Sequence, residues 1–139
     1  MQARIKWIEN VSFLAQSESG HSIVLDGAPS AGGKNLGARP MELVLMGTGG
    51  CTAFDVVTIL KKGRADIVDV EVSLSADRAE TDPKVFTRIH MHFTVKGRQL
   101  KPDQVKRAIE LSAEKYCSAS IMLAHSVAIS HDFEIVEVQ

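Results

Sequence analysis

Residues 40–63 read PMELVLMGTGGCTAFDVVTILKKG, and the architecture follows from this stretch. Pro40 suits the first turn of a helix, where its missing N–H leaves no bond unmade. Lys61, Lys62 and Gly63 form the stop signal, since cations favour the negative end of a helix and glycine accepts the left-handed turn beyond it. In between, Leu43, Val44, Leu45, Met46, Ala53, Phe54, Val56, Val57, Ile59 and Leu60 occupy nearly every face. A helix apolar all round is predicted to be buried, so this is the expected central helix. Gly47, Gly49 and Gly50 each cost about 1 kcal/mol relative to alanine inside a helix. Close approach of another backbone or helix is therefore expected there. Glycines, threonines and Asp55 interrupt the apolar run, which reads as falling short of a membrane span of ~20 apolar residues.

Upstream, residues 4–8 alternate polar with apolar, and the short runs 12–15 and 21–26 follow turns at Glu9-Asn10 and Ser19-Gly20. They read as a small antiparallel meander. Residues 27–37 (GAPSAGGKNLG) are a long Gly-rich loop. Downstream, Val68, Val70, Val72, Leu74 and Ala76 share one face of a strand. Val85, Thr87, Ile89, Met91, Phe93 and Val95 share one face of the next, opposite Arg88, His90, His92 and Thr94. A turn at residues 79–83 makes these two strands a long hairpin. Pro102 opens a second helix to about Tyr116, striped by Val105, Ala108, Ile109, Ser112 and Tyr116, with Cys117 at its end. A short helical turn over 118–124 and a strand over 127–138 close the chain. The order β-β-β-α-β-β-α-β with long antiparallel strands predicts an α+β fold, one domain over residues 1–139.

Hydrophobic residues make up 45% and charged residues 24%, which excludes general disorder, and the net charge of −1 provides no basic field for nucleic acid or anionic membrane. The first residues, MQARIKW, lack the charged start and apolar core of a signal peptide. A reducing cytoplasm is the expected compartment. Two cysteines there are more often redox-active or inert than a structural staple.

Cys51 reads either as a small buried hydrophobe or as a reactive thiol at a helix–helix seam. Cys117 also ends an apolar helix face, so the two sulfurs could approach disulfide range if both helices pack on one sheet. A thiolate needs a nearby cation to lower a pKa of ~8.5. Arg39 is the candidate, because its fork can be held by a carboxylate. Glu42 lies nine residues before Cys51, half a turn out of phase and ~13 Å along the axis. It can serve the sulfur of a twofold-related partner but not that of its own chain. Asp55, one turn after Cys51, would raise the thiol pKa unless paired, and Arg39 is a candidate partner.

The sequence resembles the OsmC/Ohr superfamily, the osmotically inducible and organic-hydroperoxide-resistance proteins. The matching stretches are Arg39-Pro40-Met41-Glu42-Leu43, Met46-Gly47-Thr48-Gly49-Gly50-Cys51-Thr52-Ala53 and Glu114-Lys115-Tyr116-Cys117-Ser118-Ala119-Ser120. The resemblance implies an OsmC-like fold, an antiparallel sheet packed on a long buried central helix plus a second helix, in an intertwined homodimer. It also implies a stress-response peroxidase. Cys51 would attack an organic hydroperoxide and condense as sulfenic acid with Cys117, and an external dithiol of the lipoyl type would restore both thiols, with no bound cofactor or metal. The family's catalytic Glu directly follows the helix-opening proline, where this chain has Met41. Its loop Arg has no counterpart in residues 16–20, and Ser118 replaces the proline after the resolving cysteine. The chain thus resembles a divergent OsmC-like branch, with Arg39 and Glu42 as the candidate catalytic pair. A non-catalytic redox-sensing or small-molecule-binding protein that keeps the fold and cysteines is the alternative.

Met41, Met46, Phe54 and Met122 are candidate lining for an alkyl hydroperoxide pocket, or plain core. His90 and His92 share a strand face, but with Arg88, Thr94 and Lys96 beside them they read as a solvated face rather than a metal site. Gly32-Gly33-Lys34 lacks the spacing of a phosphate loop.

Overall fold

In the computed structural model, which describes residues 1–139, the N-terminal runs form the expected antiparallel meander: β1 (Ala3–Glu9), β2 (Ser12–Ser17) and β3 (Ser22–Leu25), in that spatial order. A helix α1 (Pro40–Lys62) follows. The chain divides into two compact units, Met1–Met46 and Gly47–Gln139, with the division inside α1.

In the first unit the Gly-rich loop is organised by one buried carboxylate. Asp26, 2% exposed, accepts backbone N–H bonds from Gly27 (2.7 Å), Lys34 (3.1 Å) and Leu36 (3.1 Å). These bonds, led by that from Leu36, hold its pKa below the ordinary carboxylate value. The loop closes so tightly that a side chain at Gly33 would overlap the Gly27 carbonyl.

The second unit carries β4 (Asp66–Arg78), β5 (Phe86–Arg98), α2 (Pro102–Leu111), α3 (Ser118–Leu123) and β6 (Ala128–Glu137). Its sheet order is β4-β5-β6. The fold is α+β as expected, with two three-stranded sheets, and within the second β6 pairs parallel to β5, a departure from the all-antiparallel expectation. The helical crossover between β5 and β6 carries the chain back to the same end of the sheet, as parallel pairing requires.

The hairpin β4–β5 departs from strict alternation at both ends. Register shifts fall between Ile67 and Asp69 and between Asp77 and Arg78. Val68 is thereby turned out and Ile67 in. Near the turn, Phe86 is buried while Val85 and Thr87 are exposed. An extra residue in one strand flips the faces beyond it. Ile89, Met91, Phe93 and Val95 remain fully buried, as do Val56 and Leu60 of α1.

Helix α2 also changes register. Residues Ser112–Tyr116 form a wider π-type turn, closed by the Cys117 N–H donating to the Ser112 carbonyl at 2.8 Å. Tyr116, expected on the inner stripe, is 51% exposed, and Cys117 is fully buried. The inserted residue rotates everything after it.

By length and composition α1 passes as a membrane span, contrary to the reading of its interruptions. Only Thr48, Gly49, Thr52, Val56 and Leu60 are buried, however. Val44, Met46 and Phe54 are exposed, so within one chain the helix is buried on one side, not all round. Gly49 sits where a Cβ would collide with Leu74 of β4, while Gly47 and Gly50 face open space.

On the outer face of the second sheet Asp132 Oδ1 bonds His90 Nε2 (3.0 Å) and His92 Nδ1 (2.8 Å). The Asp132 bond raises the His92 pKa, and the same bond lowers that of Asp132. The solvated-face reading of these histidines thus gains a carboxylate partner that lies across the sheet.

Two outcomes follow from these bonds. Asp26→Asn should cost about 1–3 kcal/mol, the scale of an unmet buried hydrogen bond, read as a lower denaturation midpoint. A carboxyl with a depressed pKa stabilises above its ordinary range and loses that contribution as pH falls through the folded value. The gap between wild type and variant should therefore narrow in acid; no gap at neutral pH would contradict the account. A histidine with a raised pKa contributes below its ordinary value and loses that contribution as pH rises through the raised one. An NMR titration should place the His92 midpoint above the ordinary value and return it there in Asp132→Asn.

Candidate functional site

Cys51 sits on α1 and Cys117 at the junction of the π-type turn and α3. The register change that exposes Tyr116 directs Cys117 inward. The two sulfurs and a carboxylate oxygen of Asp55 all lie within 4.8 Å of one another. Both thiols are free; Cys51 is half-buried and Cys117 fully buried.

Cys117 is surrounded by small polar groups. Thr52 Oγ1 lies 3.2 Å from its sulfur and Ser120 Oγ also 3.2 Å, and the Ser120 N–H donates to it at 3.3 Å. Thr52 and Ser120 are 3.1 Å apart, and the Thr52 hydroxyl reaches the Thr48 carbonyl at 3.1 Å. Burial opposes ionisation of Cys117, but the hydrogen bonds of Ser120, Thr52 and Cys51 outweigh it and lower the pKa. Cys51 is shifted the other way. Burial raises its pKa first, and the adjacent Cys117 and Asp55 add to that, against one N–H bond from Ala119. Within one chain the more readily lost proton is that of Cys117. None of the leading influences on Cys51 is a cation.

Asp55 is paired, as expected, but with a different group. It accepts the Ser112 hydroxyl at 3.1 Å rather than the Arg39 guanidinium. Arg39 belongs to the entry of α1: its Nε is 3.7 Å from Glu42 Oε1, and its Nη1 bonds Asn35 Oδ1 and the Gly37 carbonyl. Glu42 also accepts the Arg39 backbone N–H at 2.9 Å, the half of a capping box that satisfies a helix-end donor. Met46 (60%), Phe54 (73%) and Met122 (66%) are exposed, and Met41 is half-buried.

A groove lies elsewhere. About 620 Å³ opens in the second unit, lined by Ile109, Ala113, Ser120, Ile129, His131 and Phe133 among others. None of the four candidate pocket residues lines it. His131 Nε2 is buried there without a partner, and burial, then His90, lowers its pKa.

Sequence reasoning missed Thr52, Ser112 and Ser120. The available signal was polar residues at positions adjoining each cysteine, together with Ser112 on an otherwise apolar stripe.

The sequence profile described as OsmC-like protein matches residues 32–132. Protein YhfA of Escherichia coli K12 is 54% identical over 136 residues, which cover 98% of each chain. Among solved structures, a hypothetical protein from Aquifex aeolicus is 28% identical with a TM-score of 0.87, covering 99% of this chain and 97% of that one. An organic hydroperoxide resistance protein from Legionella pneumophila has a TM-score of 0.73 at 16% identity, covering 96% and 95%, and shares the fold. With the profile spanning most of the chain and a relative identical at more than half its positions, the protein belongs to the OsmC-like family.

Proposed function

We propose that this protein is a cytoplasmic, homodimeric two-cysteine peroxidase that reduces organic hydroperoxides in oxidative-stress defence. The observation that carries the reading is the juxtaposition of a half-exposed sulfur, Cys51, with a buried one, Cys117, that three hydrogen-bond donors can hold as thiolate. The family resemblance to hydroperoxide resistance proteins adds to it.

The chemistry balances within the pair. Cys117 thiolate takes the Cys51 proton, and Cys51 sulfur attacks the outer peroxide oxygen. The O–O bond breaks, and the alkoxide leaves as alcohol with that proton. Cys51 is now the sulfenic acid. Cys117, again a thiolate, attacks the Cys51 sulfur and expels hydroxide, which is protonated to water, and a disulfide remains. An external dithiol of the lipoyl type reduces it by exchange.

A second copy of the chain has two tasks. It covers the exposed Val44, Met46, Gly47, Gly50 and Phe54 side of α1, an apolar strip whose glycines admit close approach. It also brings an Arg39–Glu42 pair, held together at 3.7 Å, to a Cys51 whose own surroundings disfavour ionisation. Phe54 and Met122, exposed in one chain, are the proposed lining for the alkyl group.

A second reading keeps the fold but drops catalysis, leaving a redox-sensing or binding protein. The raised Cys51 pKa favours it. Alkylation rate against pH, with a chelator present, separates the two. A peroxidase gives a Cys51 midpoint below the ordinary thiol value that rises in Arg39→Ala. The sensing protein gives a midpoint at or above that value, indifferent to Arg39.

Stopped-flow mixing with cumene hydroperoxide and dihydrolipoamide should show turnover that Cys51→Ser reduces to background. Absence of turnover with several organic hydroperoxides would sink the proposal. Thr52→Val removes one donor to the Cys117 thiolate. A hydrogen bond to a charged group is worth roughly 1.5–3 kcal/mol, so disulfide formation should slow about tenfold or more. Cys51 sulfenic acid, trapped by dimedone, should accumulate in that variant.

A further inference from the structure

We propose that Cys51, Cys117 and Asp55 form a reversible site for a borderline divalent cation, Zn2+, which occupies the reduced thiol pair. Three donor atoms from α1 and the start of α3 converge within 4.8 Å of one another. Tetrahedral zinc with Zn–S of ~2.3 Å and Zn–O of ~2.1 Å sets donor separations of roughly 3.5–3.8 Å, so side-chain shifts of about an ångström close the set. Two thiolates and one carboxylate suit zinc. Magnesium and calcium demand more oxygen ligands than the site offers.

The surroundings are arranged as a metal's outer partners are. Ser112 donates to Asp55 Oδ2 at 3.1 Å, which leaves the second oxygen for a cation. Thr52 and Ser120 orient the Cys117 sulfur. Such outer bonds fix ligand direction and strengthen binding. Cys51 is half-buried rather than sealed, which provides an entry path. Three protein ligands leave a fourth position open to water, unlike the closed four-ligand set of a structural zinc.

Binding displaces one proton from each thiol to solvent and engages the sulfur lone pairs that peroxide attack and disulfide formation need. Zinc and the disulfide are therefore mutually exclusive, and oxidation ejects the ion. The site stands on its own geometry, while its effect on turnover rests on the peroxidase reading.

The test titrates the reduced, chelator-treated full chain with Co2+ as a spectroscopic stand-in, then displaces it with Zn2+. Expected is one Co2+ per chain with intense thiolate-to-cobalt charge transfer and tetrahedral d–d bands. These should be absent in Cys51→Ser and in Cys117→Ser, and Ser112→Ala should bind about tenfold more weakly. Asp55→Asn, whose fold is checked by circular dichroism, should bind at least tenfold more weakly while keeping both sulfurs. Loss of charge transfer on oxidation to the disulfide is also expected. The inference is overturned if cobalt binds without charge transfer, if the Asp55→Asn affinity equals wild type, or if binding survives in the Cys51→Ser/Cys117→Ser double variant. None of these readouts uses hydroperoxide. Cobalt binding without turnover would overturn the peroxidase reading alone, and turnover without cobalt binding would overturn the metal site alone.

Discussion

The buried hydroxyl cluster around Cys117 is the constraint on which the site depends. As a thiol, Cys117 can donate to Ser120, Ser120 to Thr52, and Thr52 to the Thr48 carbonyl, along contacts of 3.2, 3.1 and 3.1 Å. Three hydrogens then meet three acceptors, and nothing polar is left unmet in a core where such a group costs ~1–3 kcal/mol. As a thiolate, Cys117 has no hydrogen to give. Rotation of the Thr52 and Ser120 hydroxyls redirects both donors to sulfur, beside the Ser120 N–H. One set of heavy-atom positions therefore serves both protonation states. Thr52→Val or Ser120→Ala would break this chain of hydroxyls, so on the proposed reading these residues serve the chemistry alongside the cysteines.

The relay exists because of a register change that local patterning does not reveal. On a regular helix, Ser112 and Tyr116 share a face, and that stripe was legible from residue 102 onward. The π-type turn, closed by Cys117 N–H to Ser112 carbonyl, inserts a residue into the winding. Tyr116 leaves the core and Cys117 enters it. Propensity carries little information about such a turn, because its stability comes from what the displaced residues then meet in three dimensions. The two bulges of the long hairpin escaped prediction for the same reason. Alternation was right through the middle of β5, from Ile89 to Val95, and failed at Val68 and Thr87, where the pairing partner, not the strand's own pattern, sets the face.

Most elements were readable because their local signals agreed. Pro40 and Pro102 open helices, Lys61-Lys62-Gly63 closes one, and alternation marks β1, β4 and β5 plainly. Parallel pairing of β6 was not readable, since the last strand carries the same alternating pattern in either direction. For α1 composition is readable and company is not. Its all-round apolarity was correctly seen, yet one chain buries only the Thr48–Leu60 side. On the proposed reading the remainder is the surface of a second copy, and no residue pattern within a single chain distinguishes a core helix from an interface helix.

Asp55 shows how charge ties these threads together. A carboxylate within 4.8 Å of two ionisable sulfurs works against thiolate formation at Cys51, so a site built only for nucleophilic attack would do better without it. Ser112 satisfies one of its oxygens but brings no positive charge. Convergent negative charge at this density invites a cation, and the fold admits two kinds. A guanidinium from a second copy would neutralise Cys51 while leaving its lone pairs available to peroxide. A bound metal would neutralise all three groups and withhold those lone pairs. The first arrangement makes the thiol pair reactive and the second protects it. Both draw on the same three atoms, so the balance between them would govern when this dithiol can be oxidised.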